Sequence, residues 1–140
     1  MERRTFINDC GRLCLGIPLV QIACSPVKYF DAIIENRKIK VPKTQFLTSD
    51  GKKYRHFILL QAKGLNYPIV VYRSRDAKFH SLLLRCTHQG TELEVNGRTI
   101  SCPAHGSEYD DSGKVIQGPA PENLRSFKTS EDDQNVYIEL

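Results

Sequence analysis

The chain has 140 residues, 40% of them apolar and 26% charged, and a formal net charge of +4. That is enough chain for one domain with a core of its own, hardly enough for two, and too apolar for disorder throughout. So mild a charge, with no Lys/Arg run and no basic stripe interleaved with aromatics, argues against nucleic acid as a partner.

The chain opens Met1-Glu2-Arg3-Arg4-Thr5-Phe6-Ile7-Asn8 and runs through an apolar stretch, residues 13–23, to Cys24-Ser25-Pro26. A charged start, an apolar middle and a small residue before the cut have the shape of a signal peptide. The apolar part is about a dozen residues, short of the roughly 20 that a bilayer-spanning helix needs. Arg3-Arg4-Thr5-Phe6-Ile7 resembles the core of a twin-arginine export signal, without the usual Ser/Thr ahead of the arginines. Gln21-Ile22-Ala23-Cys24 resembles a bacterial lipoprotein cleavage box, with Gln21 where an aliphatic residue is usual. These resemblances imply removal of residues 1–23, lipid attachment at Cys24 and a membrane-anchored domain on the periplasmic side. Diacyl modification would supply an attachment that one short helix cannot. The plainer reading is an amphipathic helix packed on a domain that stays in the cytoplasm.

Residues 24–36 read as a linker with a short helical turn over 29–34. Alternating charged and apolar residues over 37–41 predict a first strand. Ser49-Asp50-Gly51-Lys52 predicts a turn, 56–60 an apolar run, and Lys63-Gly64-Leu65-Asn66 another turn. The β-branched run 68–72 predicts a strand, with Pro68 tolerable at its start. A turn at 75–77 leads into 78–85, where Leu82-Leu83-Leu84 is expected to be buried. Residues 92–95 and 98–101 alternate at period two about Asn96-Gly97, a hairpin signal in which both turn positions take positive φ. Asp111-Ser112-Gly113-Lys114 predicts a turn before a short strand through Val115. Gly118-Pro119-Ala120-Pro121 is rigid, and 124–128 and 136–140 predict closing strands about a turn at 132–135. Short strands, frequent turns and no long helix predict an all-β antiparallel sandwich or barrel, the domain proper spanning 37–140.

The chemistry lies in Cys86-Thr87-His88 and Cys102-Pro103-Ala104-His105. Each half couples one thiol with one imidazole, and thirteen residues separate them. The predicted hairpin folds that spacer back, so that the two pairs meet at its base. Two thiolates and two imidazoles suit either a tetrahedral zinc ion or an iron–sulfur cluster. Zinc fingers of this composition usually place Cys with Cys and His with His, whereas here the types alternate. Cys10, Cys14 and Cys24 fall in or beside the leader, so the domain itself has only the two motif thiols, whose metal-ligand spacing argues against a disulfide framework.

The motif and its continuation resemble the Rieske iron–sulfur domain, the similarity running from about Ile39 to Leu140. In that family two Cys hold one iron of a 2Fe-2S cluster and two His the other. The resemblance implies that Cys86 and Cys102 ligate the inner iron and His88 and His105 the outer. Gly106-Ser107-Glu108-Tyr109-Asp110 matches the family's continuation, and Gly118-Pro119-Ala120-Pro121 resembles the proline loop over the cluster. It implies that Ser107 and Tyr109 stand where high-potential members place hydroxyl donors to the cluster sulfurs. Thr91 and Ala104 occupy positions where respiratory members carry a disulfide-forming cysteine pair, which argues against a quinol-oxidising role.

These implications make the chain an electron carrier with no catalytic residues of its own, exported and membrane-tethered. It would pass single electrons between a redox enzyme and a carrier, its partner being a cytochrome or an oxidoreductase subunit. One alternative is a Rieske ferredoxin or small subunit of a specific oxygenase or reductase. Another is a non-redox, zinc-binding interaction module. His56 and His80 have no partner at ligand spacing and read as strand residues. Glu92, Glu94, Glu108, Asp110 and Asp111 read as solvated loop charges, and no catalytic triad, carboxylate pair or phosphate loop stands out.

Overall fold

A computed structural model describes residues 28–140. The leader, its cleavage box and Cys24 lie outside the described residues. Among the described residues no helix is long and apolar enough to cross a membrane.

Among the described residues there are twelve strands and one short 3-10 turn, an all-β arrangement as expected. In chain order they are β1 Tyr29–Ala32, β2 Ile34–Glu35, β3 Lys38–Pro42, the 3-10 turn Lys43–Phe46, β4 Phe57–Ala62, β5 Ile69–Arg73 and β6 Phe79–Leu83. There follow β7 Glu94–Asn96, β8 Thr99–Ser101, β9 Glu108–Asp110, β10 Val115–Gln117, β11 Ser126–Glu131 and β12 Asn135–Glu139. Eight form a nearly closed, barrel-like sheet in the order β1-β4-β5-β6-β11-β12-β3-β2, and four form a small antiparallel sheet, β10-β9-β8-β7. Strands β6 and β11 are neighbours in the large sheet, with Leu82 opposite Ser126. Residues 84–125, which include the whole small sheet, are therefore an excursion between two paired strands.

The segment read as a linker with a helical turn is instead strand. Tyr29 to Ala32 pair in parallel with Leu59 to Ala62, and Ile34-Glu35 pair with Lys38-Ile39 across a two-residue turn. That turn holds Asn36 and Arg37 at φ of 49° and 60°. Left-handed backbone at two successive residues is the turn whose twist matches a hairpin. It is normally announced by a glycine, and Arg37 announces nothing.

The second hairpin stands where the sequence places it, but its turn is one residue further on. Asn96 still pairs, opposite Thr99, so the central residues are Gly97 and Arg98. Only Gly97 has positive φ, 64°, the pattern of a turn with glycine in its first central position.

Two apolar clusters fill the fold. One lies inside the barrel, around Ile39, Phe46, Leu60, Ile69, Val71 and Ile138. The other joins the opposite face of the barrel wall to the small sheet, and it contains Leu82, Leu84, Cys86, Leu93, Cys102 and Tyr109. Strand alternation divides the Leu82-Leu83-Leu84 run between them: Leu82 and Leu84 pack with the cysteines, while Leu83 is half-buried against the barrel interior.

Candidate metal centre

The two Cys/His loops have one backbone plan. In the first, the Gly90 N–H donates to the Cys86 carbonyl (2.8 Å) and the Cys86 N–H to the Thr91 carbonyl (2.8 Å). In the second, the Gly106 N–H donates to the Cys102 carbonyl (3.0 Å) and the Cys102 N–H to the Ser107 carbonyl (2.8 Å). Gly90 and Gly106 both have φ of 75°. A residue with a Cβ is strained there, and glycine lets each loop close within five residues. The first loop follows β6 through Leu84 and a backbone bridge between Arg85 and Glu92; the second joins β8 to β9. The β7–β8 hairpin brings one to the other.

The donors sort by type and depth. Cys86 and Cys102, 2% and 3% exposed, lie in the core with their thiols free and facing one another. His88 is half-buried and His105 exposed. Their rings meet edge to face, with centroids 5.0 Å apart. The His88 Nδ1 is buried and has no hydrogen-bond partner. Buried polar atoms are seldom left so, and an unpartnered imidazole nitrogen two residues along from a buried thiol is a candidate metal donor. Among the described residues no three His, Cys, Asp or Glu side chains gather as ligands of one ion. Two donors per metal, thiols within and imidazoles without, is the set a two-iron cluster takes, so these residues fit it.

Hydrogen bonds reinforce the inner pair. Burial alone would raise the Cys86 thiol. Hydrogen bonds from Tyr109, the His88 backbone, Cys102 and the Gln89 backbone outweigh it and hold the thiol below its ordinary value. That favours the thiolate, the form that binds metal. The Tyr109 hydroxyl, fully buried, accepts the Thr87 N–H at 3.1 Å and lies 3.1 Å from Thr87 Oγ1 and 3.5 Å from Cys86 Sγ. Thr87 Oγ1 donates its own proton to the Glu122 carbonyl, 2.7 Å away. The Tyr109 proton is therefore shared between Thr87 Oγ1 and Cys86 Sγ. Burial, first, and the bond to Cys86 raise the Tyr109 pKa, while the Thr87 contacts oppose them.

Ser107 is also fully buried, and its Oγ accepts the Ala120 N–H at 3.0 Å. That bond ties the second loop to 118–121, where Gly118 and Pro119 are exposed and joined by a cis peptide bond. Gln117 Nε2 donates to the Gly106 carbonyl at 2.9 Å. Thr87 and Gln117 thus tie the two loops to the 117–122 segment, and sequence reasoning passed over both. Thr87 sits between two donors and could have been noticed; Gln117 carries no local signal. Thr91 and Ala104 are half-buried and exposed, without a thiol between them. His56 and His80 stand apart, His80 stacked on Tyr72 and 2.6 Å from the Asp111 carbonyl.

The family pattern described as the Rieske [2Fe-2S] domain matches residues 39–128. Among solved structures, the plasma membrane Rieske protein PetC3 from Synechocystis PCC 6803 is similar with a TM-score of 0.50 at 20% identity, over 74% of this chain and 87% of that one. A chain from the complex of reduced oxygenase and oxidized ferredoxin in carbazole 1,9a-dioxygenase gives 0.54 at 22% identity, over 75% of this chain and 94% of that one. Naphthalene 1,2-dioxygenase gives 0.57 at 15% identity, over 76% of this chain and only 26% of its own. At such identities the likeness is one of fold. No curated protein sequence matches.

Proposed function

Since the chain belongs to the Rieske [2Fe-2S] domain family, whose cofactor is a 2Fe-2S cluster, we propose that it is a single-electron carrier with Cys86 and Cys102 on the inner iron and His88 and His105 on the outer. The observation that carries this reading is the sorting of donors, two buried thiols and two imidazoles nearer the surface, one half-buried and one exposed, in edge-to-face contact. When bound, the cluster supplies one-electron chemistry at a potential between roughly −150 and +300 mV. The protein's own residues do the rest. Tyr109 places its hydroxyl beside Cys86, Ser107 ties the second loop to Ala120, Thr87 and Gln117 hold the loops without a disulfide, and the apolar wall of Leu84, Leu93 and Ile100 keeps water from the thiols. His105, exposed, offers the edge by which a partner is reached. EPR of the dithionite-reduced protein tests the assignment: a signal near g ≈ 1.9 in the wild type, lost in Cys86→Ser and Cys102→Ser, is expected. A colourless protein holding stoichiometric zinc would overturn it.

We propose further that residues 1–23 export the domain and that Cys24 anchors it to the membrane by a lipid. The charged-then-apolar leader and its cleavage box support this. Intact-mass measurement of the protein recovered from membranes is the test, since an unprocessed, unacylated chain in the soluble fraction contradicts it. A second reading, a ferredoxin serving an oxygenase, is favoured by the absence of a second cysteine at Thr91 and Ala104 and by a likeness in fold that covers 94% of a chain of the carbazole 1,9a-dioxygenase complex. A midpoint well below zero would select it.

A further inference from the structure

Beside His88 the surface is concave. One opening of about 490 Å³ is lined by Thr87, His88, Glu122, Arg85 and Arg125; a second, of about 470 Å³, continues from the same two arginines to Tyr67 and Phe127. Both arginines are exposed. Arg85 lies against the first loop, its Nε 3.2 Å from where a Cβ on Gly90 would stand, and its guanidinium Cζ is 5.7 Å from the Tyr67 ring centre. Arg125 Cζ stands 4.8 Å over the Phe127 ring. Among the described residues neither guanidinium takes part in a salt bridge. Glu122 lines the same opening without pairing to them, and Glu92, opposite Arg85 in the backbone bridge, lines a different groove with Tyr29.

An exposed arginine alone is unremarkable. Two held on aromatic faces, with their N–H edges free, flanking one groove that ends at a proposed ligand, are pre-organised for carboxylates. Resting on the electron-carrier reading above, we propose that Arg85 and Arg125 form the docking surface for an acidic patch of the redox partner protein, seating it beside His88. The complementarity is of charge: paired carboxylates on the partner take the two guanidiniums, and the groove between them accepts the side chains that carry those carboxylates. Such rim charges chiefly set encounter rate and salt dependence.

The test uses the holo-protein and deca-L-glutamate as the acidic probe. Calorimetry at low ionic strength is expected to show binding that weakens steeply by 0.5 M salt, and at least tenfold in Arg85→Glu/Arg125→Glu. Lys52→Glu/Lys53→Glu, the same charge change at two exposed lysines of the 49–53 turn, is expected to leave it within twofold. In stopped flow, the reduced protein gives one electron to hexacyanoferrate(III), itself anionic. Its rate constant is expected to fall at least tenfold in the double variant, and in the wild type when decaglutamate is added. Equal binding by the arginine double variant and the wild type, or an equal loss in Lys52→Glu/Lys53→Glu, would overturn the proposal. So would equal inhibition by monomeric glutamate, which would make the groove a small-anion site. EPR separates the two readings: a missing g ≈ 1.9 signal in the wild type overturns the electron-carrier reading, while the calorimetry still decides the arginine surface.

Discussion

The Ser107 hydroxyl accepts the Ala120 N–H and is fully buried, so its own proton is left for another acceptor, which under the proposed function is a sulfur of the cluster. Tyr109 is placed alike, with a proton shared between Thr87 Oγ1 and Cys86 Sγ. A donor to a sulfur gains strength when the site gains an electron, so each hydroxyl favours the reduced state. Ser107→Ala and Tyr109→Phe are each expected to lower the midpoint, by on the order of 50 mV if a differential of about 1 kcal/mol is lost. Redox titration followed by EPR measures this, and unchanged midpoints in both would refute the roles given to the hydroxyls. Each change also strands a backbone N–H, that of Ala120 or of Thr87. A loss of about 1–3 kcal/mol in stability should accompany the shift.

At the scale of elements, the loops and turns divide what sequence can reveal from what it hides. The Cys/His pairs were legible because ligand chemistry fixes residue type and spacing together. The β7–β8 hairpin was legible through Asn96-Gly97, although the turn settled on Gly97-Arg98. Strands β1 and β2 were not. The Asn36-Arg37 turn lacks a glycine, and β1 pairs in parallel with β4, which no local periodicity can signal. The clasp from Thr87 to the Glu122 carbonyl spans 35 positions and ends on backbone, so the identity of residue 122 says nothing of it. Gly106 offers a test of the shared loop plan. With φ at 75°, Gly106→Ala is expected to cost about 1–2 kcal/mol and to lower the thermal midpoint by about 3–8 °C. Thermal denaturation followed by circular dichroism measures it. The β11–β12 turn carries a pH signature. The Asp132 carboxyl receives the Tyr137 hydroxyl and the Gln134 and Asn135 N–H groups, which lower its pKa from 3.8 to about 2. A depressed acid stabilises the fold above its unfolded value and ceases to as pH drops. Its contribution is therefore full above about pH 4 and lost toward about pH 2. Acid titration of stability should show a smaller fall over that window in Asp132→Asn than in the wild type.

The whole molecule is a barrel with an excursion, and the excursion carries the chemistry. Residues 84–125 leave after β6 and return at β11, whose pairing closes the barrel wall without help from the small sheet. The barrel interior is a separate apolar cluster that contains neither cysteine. The cluster that does contain them draws Leu59, Val70, Tyr72 and Leu82 from the barrel and the remainder from the excursion. It also includes both thiols, so the ligand loops are rooted in this shared core. With Cys86 and Cys102 free of any disulfide, a cluster held by the four proposed ligands would be the tie between the two halves of the excursion. Metal binding free energy in such a site is local folding free energy. Removal of iron by chelation under reducing conditions is therefore expected to abolish hydrogen-exchange protection across β7 to β10, while β3, β4, β5 and β12 keep theirs. Mass-spectrometric exchange on the holo and stripped proteins resolves the two regions. Equal loss in the barrel strands would mean that the barrel cannot stand without the excursion, contrary to the separation of the two cores.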